Sequence, residues 1–292
     1  MIKIGVVFPQ TDIGNDPGGL RDYAQAVEAM GYTHLLAYDH VLGANRERHP
    51  TLTGPYSQRD AFHEPFVLFG FLAAVTRRLE LATGIIILPQ RQAALVAKQA
   101  AAVDVLSGGR LRLGVAVGWN FVEYEALGED YKSRGRRIEE QIEVMRALWT
   151  RELVTVDGHW HRITEAGINP LPVQRPIPVW MGGLSEAAWQ RAARVADGWT
   201  WSGGVRPGPE AQALVDKVHA AVKAAGRDPV AFGVEGRVVL AQLEPGKWAA
   251  EVAAWRRVRG VTHLCVDTMR LGLAKPEQHI ETLRRFKELA LA

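Results

Sequence analysis

An aspartate and a histidine stand side by side at Asp39-His40, directly after the apolar run His34–Tyr38. A carboxylate beside an imidazole can hydrogen-bond a ligand and handle a proton near neutral pH. Adjacent residues usually point to different sides, so a polar strand end with no shared target is the competing reading. A second constellation is Met181-Gly182-Gly183-Leu184-Ser185-Glu186. Two glycines let backbone approach a ligand, and Ser185 can cap the following helix, whose free N–H groups favour an anion. A tight turn with an ordinary cap explains the same residues. A third is Gly114–Asn120, where Gly118 permits close approach and Trp119 or Asn120 can border a planar ligand. The sequence has no Gly-x-Ser-x-Gly turn, no Walker-type Gly-Lys-Ser/Thr and no cysteine pair. Hydrolase, phosphoryl-transfer and thiol-redox chemistries therefore lack their usual marks. His63-Glu64 and His159-x-His161 lack a third ligand at metal spacing, so no metal is expected.

Something must hold these residues together. Short β-branched runs read as strands at Ile2–Phe8, His34–Tyr38, Leu79–Ile87, Leu111–Val117, Pro178–Met181, Gly198–Trp201, Ala231–Leu240 and Thr262–Asp267. Helical patterns fall between them at Gly19–Met30, Phe66–Arg77, Leu95–Leu106, Gly135–Trp149, Glu186–Val195, Glu210–Ala225, Trp248–Arg257 and Glu277–Leu289. Such alternation predicts an α/β fold, a (β/α)₈ TIM barrel. An open doubly wound sheet would want Gly-x-Gly-x-x-Gly after the first strand, where Phe8-Pro9-Gln10-Thr11-Asp12 stands instead.

Working residues of such barrels lie on the loops after the strands. That rule gathers Pro9-Gln10, Asp39-His40, Gly84 to Arg91, Gly118-Trp119-Asn120, Gly182 to Ser185, Trp201-Ser202-Gly203-Gly204, Gln242 and Met269-Arg270 at one end. Two segments fit no strand–helix unit. Gly43–His63 is long and polar and should cover the active face as a lid or wall. Glu152–Pro172 carries Asp157-Gly158 between two short runs and reads as a hairpin excursion. We expect one barrel domain over 1–292 with these two insertions.

The chain has 292 residues, 47 % hydrophobic and 23 % charged, with a formal charge of +3. A large core is affordable, and nothing points to nucleic acid. The nine tryptophans either fill that core or border a ligand. The lone cysteine, Cys265, sits in an apolar run and reads as packing. The opening Ile2–Phe8 reads as a strand rather than a leader, and no apolar run reaches the roughly 18 residues of a membrane span. A cytoplasmic protein without membrane contact is expected.

Taken together, these pieces resemble the luciferase-like monooxygenase superfamily, and within it the branch that uses the deazaflavin coenzyme F420. The resemblance spans nearly the whole chain. It rests on Tyr38–Gly43, Phe62–Phe66, Ala82–Ile85, Leu88–Arg91, Lys98–Ala100, Asp104–Arg110, Leu113–Asn120, Met181–Gly183 and Ala196–Trp199. It implies a non-proline cis peptide at Gly84–Ile85, bulging behind the cofactor ring. It implies a phosphate loop at Gly182, Gly183, Leu184 and Ser185, and cofactor contacts from Val117, Gly118, Trp119 and Asn120. Asp39 matches a cofactor-side aspartate and His40 a substrate-side histidine that exchanges the proton accompanying hydride transfer. This pair favours deazaflavin over FMN, whose luciferase-like monooxygenases share most of the other motifs. A cofactor-binding barrel without turnover is a third reading. Glucose 6-phosphate is one substrate of such enzymes, but the expected basic set is not at matching positions. Arg91 and Arg270 are the nearest substrate-side candidates. A small organic substrate and a homodimer are the partners implied.

Overall fold

The computed structural model describes residues 2–201 and 204–291. Strands β1 (Lys3–Val7), β2 (His34–Ala37), β3 (Glu80–Thr83), β4 (Ile86–Ile87) and β5 (Leu111–Ala116) come first. An antiparallel hairpin, β6 (Val154–Asp157) with β7 (Arg162–Ala166), follows. Then come β8 (Val179–Gly182), β9 (Gly198–Thr200), β10 (Gly233–Val239) and β11 (His263–Asp267). All but the hairpin are parallel neighbours in the order β3-β2-β1-β11-β10-β9-β8-β5, and pairing of β3 with β5 closes the ring. β4 continues the β3 position along β5, so eight strand positions make the barrel.

The helices are α1 (Pro17–Ala29), α2 (Pro65–Val75), α3 (Ala93–Ser107), α4 (Phe121–Ala126), α5 (Arg134–Thr150), α6 (Glu186–Val195), α7 (Pro209–Ala224), α8 (Trp248–Arg257) and α9 (Pro276–Ala290). Local chemistry sets their ends. Asp16 accepts from the Gly19 N–H at 2.7 Å, Glu64 accepts from Val67 N–H at 2.9 Å, and each is followed by proline. Gly108 ends α3 at φ 72°, a conformation open to glycine. Among the described residues, no helix is long and apolar enough to cross a membrane.

Side chains pointing out of the barrel pack under the helices. Trp199, Trp201 and Trp255 stack there, with ring centres 4.5 Å and 5.6 Å apart, so these rings fill the core. The barrel interior is not the apolar filling that its strand sequences suggest. Arg112 donates to Glu80 at 2.7 Å and Glu235 at 2.8 Å and lies over Trp180, 4.3 Å from the ring centre. His34 Nε2 stands 3.2 Å from Glu235. Glycines make room for these groups: a Cβ on Gly5 would sit 2.3 Å from the His34 ring, and one on Gly233 2.1 Å from Trp180. His34, Glu235 and Cys265 do bring donor atoms within 4.8 Å of one another. Glu235 is already satisfied by Arg112 and His34, and burial pushes the Cys265 thiol up, away from the thiolate a metal would need.

Buried imidazoles give the fold an acid sensitivity. Burial, then Arg112, holds His263 down to about 3, and burial holds His279 down to about 4. An unfolded histidine takes its proton near pH ~6.5. Between these values the unfolded chain binds more protons, so stability falls as pH falls. The carboxyls of Asp39 and Asp267, both raised mainly by burial, act in the opposite sense. A His279→Gln variant isolates one term. Its unfolding free energy should decline less steeply than the parent's between about pH 6.5 and 4 in urea titrations. Equal slopes would contradict the assignment.

Candidate active site

The carboxyl ends of the strands form one mouth, and His40 lies inside it. Its Nδ1 is 3.0 Å from Glu123 Oε2 of α4, whose side chain is fully buried. The other Glu123 oxygen accepts the N–H groups of Val41 at 2.6 Å and Leu42 at 3.1 Å. Glu123 therefore fixes both the backbone after His40 and the tautomer of its ring. With Nδ1–H donated to the carboxylate, Nε2 carries the lone pair. The dyad can take a proton from a ligand oxygen or return one. Sequence reasoning missed Glu123, although Asn120 followed three residues later by Glu is a recognisable helix-start signature.

Aromatic rings wall the imidazole. Phe62, Tyr56 and Trp119 lie with ring centres 4.9, 5.5 and 5.5 Å from that of His40. Two of them belong to the Gly43–His63 segment. A Cβ on Gly54 would sit 2.1 Å from Trp119, so this glycine lets the segment press onto that ring. Burial pushes the Tyr56 hydroxyl up to about 12, so it stays a neutral donor.

Asp39 is held by protein partners. It is buried, with Oδ2 accepting Ile87 N–H at 3.0 Å and Oδ1 accepting Arg91 at 2.7 Å. Arg91 also reaches Glu64 at 3.0 Å. Both residues thus have protein partners: Asp39 pins β4 to β2, and Arg91 neutralises it. Burial raises the Asp39 carboxyl from its ordinary value, opposed by Arg91.

The Gly84–Ile85 peptide is trans; among the described residues the cis bonds are Asn169–Pro170 and Arg175–Pro176. Close packing explains the glycine without a cis bond. Gly84 N–H donates to Ala37 at 2.7 Å, and a Cβ there would sit 2.0 Å from Leu36 Cδ2. The Ile85 side chain reaches over β8, 3.0 Å from where a Gly182 Cβ would stand.

Gly118, at φ 66°, lets the chain turn against Ile87, which a Cβ would meet at 2.6 Å. Val117 gives its carbonyl to Tyr124 at 2.6 Å. Asn120 is buried and accepts Val122 N–H at 3.2 Å while donating to Leu42 O at 3.1 Å. It caps α4 and ties that helix to the His40 segment, a role behind the site. Ser185 stands at the N-cap of α6 but makes no side-chain cap bond, contrary to the capping expectation. Its hydroxyl makes no cap bond to the first turn of α6, beside exposed Leu184 and the pair Gly182-Gly183. Ser202 and Gly203 lie outside the described residues. Arg270 is exposed, in a left-handed conformation at φ 64°, its N–H donated to Asp12 at 2.7 Å and its guanidinium 6.0 Å from the Tyr56 ring centre.

Residues 3–279 match the family described as luciferase-like monooxygenase. The chain belongs to the luciferase-like monooxygenase family, whose members are oxidoreductases. It is 38 % identical over 186 residues to an uncharacterized protein of Mycobacterium tuberculosis, covering 62 % of this chain and 64 % of that one. The match thus spans somewhat under two thirds of that relative's length. It is 33 % identical over 263 residues to the FMNH(2)-dependent dimethylsulfone monooxygenase of Pseudomonas putida, covering 88 % of this chain and 68 % of that one. Two solved structures share the fold: monooxygenase RslO1 of Streptomyces bottropensis (TM-score 0.77, 20 % identity, 99 % of each chain) and the coenzyme F420 dependent tetrahydromethanopterin reductase of Methanopyrus kandleri (TM-score 0.75, 16 % identity, 97 % of each chain).

Proposed function

We propose that the protein is an oxidoreductase that moves a hydride between the deazaflavin coenzyme F420 and a small organic substrate. The His40–Glu123 dyad carries this reading. A hydride leaving a carbinol carbon, or arriving at a carbonyl carbon, requires a proton to leave or reach the attached oxygen. Nε2 of His40, oriented by a buried carboxylate and walled by aromatic rings, is built for that exchange.

The remaining mouth fits the cofactor. Gly118, Gly182 and Gly183 leave a surface without side chains, and Ser185 with the start of α6 offers donors to its phosphate. Gln90, in the 3-10 turn Leu88–Gln90 after β4, is buried with both amide atoms unpartnered among the described residues, as a group awaiting a polar ring edge would be. The bound deazaflavin supplies the hydride chemistry. The chain supplies position through Gly84, Ile85 and Trp119, dryness through the Gly43–His63 segment acting as a lid, and the proton through His40.

The 33 % identity to an FMNH(2)-dependent enzyme favours a second reading, an FMN-dependent monooxygenase on the same site. Assays with both reduced cofactors separate the two. Substrate-dependent, oxygen-independent oxidation or reduction of the deazaflavin is the expected result. Substrate-dependent oxygen consumption with reduced FMN, and none of the former, would overturn it. We place the enzyme in the cytoplasm as a homodimer, for which exposed Val67 and Phe71 on α2 and Leu95 on the adjoining α3 offer an apolar face.

A further inference from the structure

The mouth has two halves of different chemistry. The ends of β4, β5 and β8 are glycine-rich and lean on Ile85 and Ile87. The opposite half, from β10, β11, β1 and β2, ends in Arg237, Asp267, Gln10 and Tyr38. Arg237 is the unusual member. It is 5 % exposed, on the inward face of β10, since the preceding Gly236 lies against Trp255 of α8. It has no carboxylate within ion-pair distance among the described residues. Glu235 is held by Arg112 and His34, and Asp267 Oδ1 accepts Met269 N–H at 2.9 Å. One Nη of Arg237 reaches the Tyr38 hydroxyl, the guanidinium stands 5.3 Å from the Tyr38 ring centre, and Nε is buried with no partner. Asp267 and Glu235 lie near enough to favour its charge, but neither pairs with it directly, so Nε remains a buried donor open to an acceptor.

We propose that Arg237 anchors an oxyanion on the substrate, a carboxylate or a sulfonate, and so selects acidic substrates. The contacts lead from it to the proton-transfer dyad. Arg237 donates to the Tyr38 hydroxyl, the Tyr56 ring centre lies 6.4 Å from that of Tyr38, and the His40 ring centre 5.5 Å from that of Tyr56. Arg270, exposed and 6.0 Å from the Tyr56 ring centre, is a second cation at the rim that draws an anion inward. A planar guanidinium matches the two oxygens of such a group. The inference rests on the oxidoreductase reading of this mouth, with His40 as the proton-exchanging group.

Calorimetry with two matched pairs tests it: methanesulfonate against dimethyl sulfone, and benzoate against benzamide. Each is titrated into cofactor-loaded protein and into protein without cofactor, so that failure of the cofactor assignment is read separately. Both anions should bind about tenfold or more tightly than their neutral partners. Arg237→Met should remove that preference, Arg237→Lys should keep part of it, and Arg270→Met should weaken it less, because that residue is exposed. Should Arg237→Met not fold, the preference of the parent protein and its change in Arg237→Lys decide. Equal binding of anion and neutral partner, no binding of either anion, or an undiminished preference in both Arg237 variants overturns the proposal.

Discussion

Replacing His40 with alanine is expected to cut turnover by about two to four orders of magnitude, the usual worth of a positioned acid–base group. Cofactor affinity should stay near the parent's, because the glycine surfaces and Ser185 do not touch the imidazole. Glu123→Gln is the informative companion. The amide is nearly isosteric, but it carries no charge to support a protonated ring, so turnover should fall less than in His40→Ala and its pH profile should shift. Steady-state kcat over a pH range, with cofactor Kd measured on the same preparations, checks both. Undiminished kcat in His40→Ala would remove the dyad from the mechanism.

The second large effect is structural. Arg112 is buried and joins Glu80, Glu235 and the Trp180 ring inside the barrel. Arg112→Ala leaves Glu235 with His34 and a long hydrogen bond from Thr200 at 3.4 Å, and opens space beside Trp180. Removing one partner of a buried ion pair costs about 3–5 kcal/mol. In the parent, Glu235 is held far below the usual carboxylate range: burial raises it, but Arg112 and His34 together outweigh that. The variant should therefore unfold at markedly lower urea concentration with an unchanged m-value. A loss under about 1 kcal/mol would mean that the interior repacks without the charge.

The barrel was legible because alternating β-branched runs and glycine-stopped helices leave few topologies. Even the interrupted run Leu79–Ile87 proved to be one barrel position, split into β3 and β4. The interior was not legible. Glu235 and Arg237 sit two apart in Gly233–Val239, and that period-two pair was the available sign of a polar inner face. It was masked by the valines that pack outward. The site was half legible. Glycine-rich strand ends and His40 stand where strand counting put them. The partners of Asp39, Arg91 and His40 were hidden, because Glu64 and Glu123 approach from helices 25 or more residues away in sequence.

The most direct measurement is a titration of purified apo-protein with the deazaflavin and, separately, with FMN. The account predicts saturable deazaflavin binding that weakens when Gly182 is replaced by valine, whose side chain would displace Ile85. Micromolar or tighter FMN binding with no deazaflavin binding would contradict the cofactor assignment. Binding of neither would contradict the placement of a flavin-type ring in this mouth.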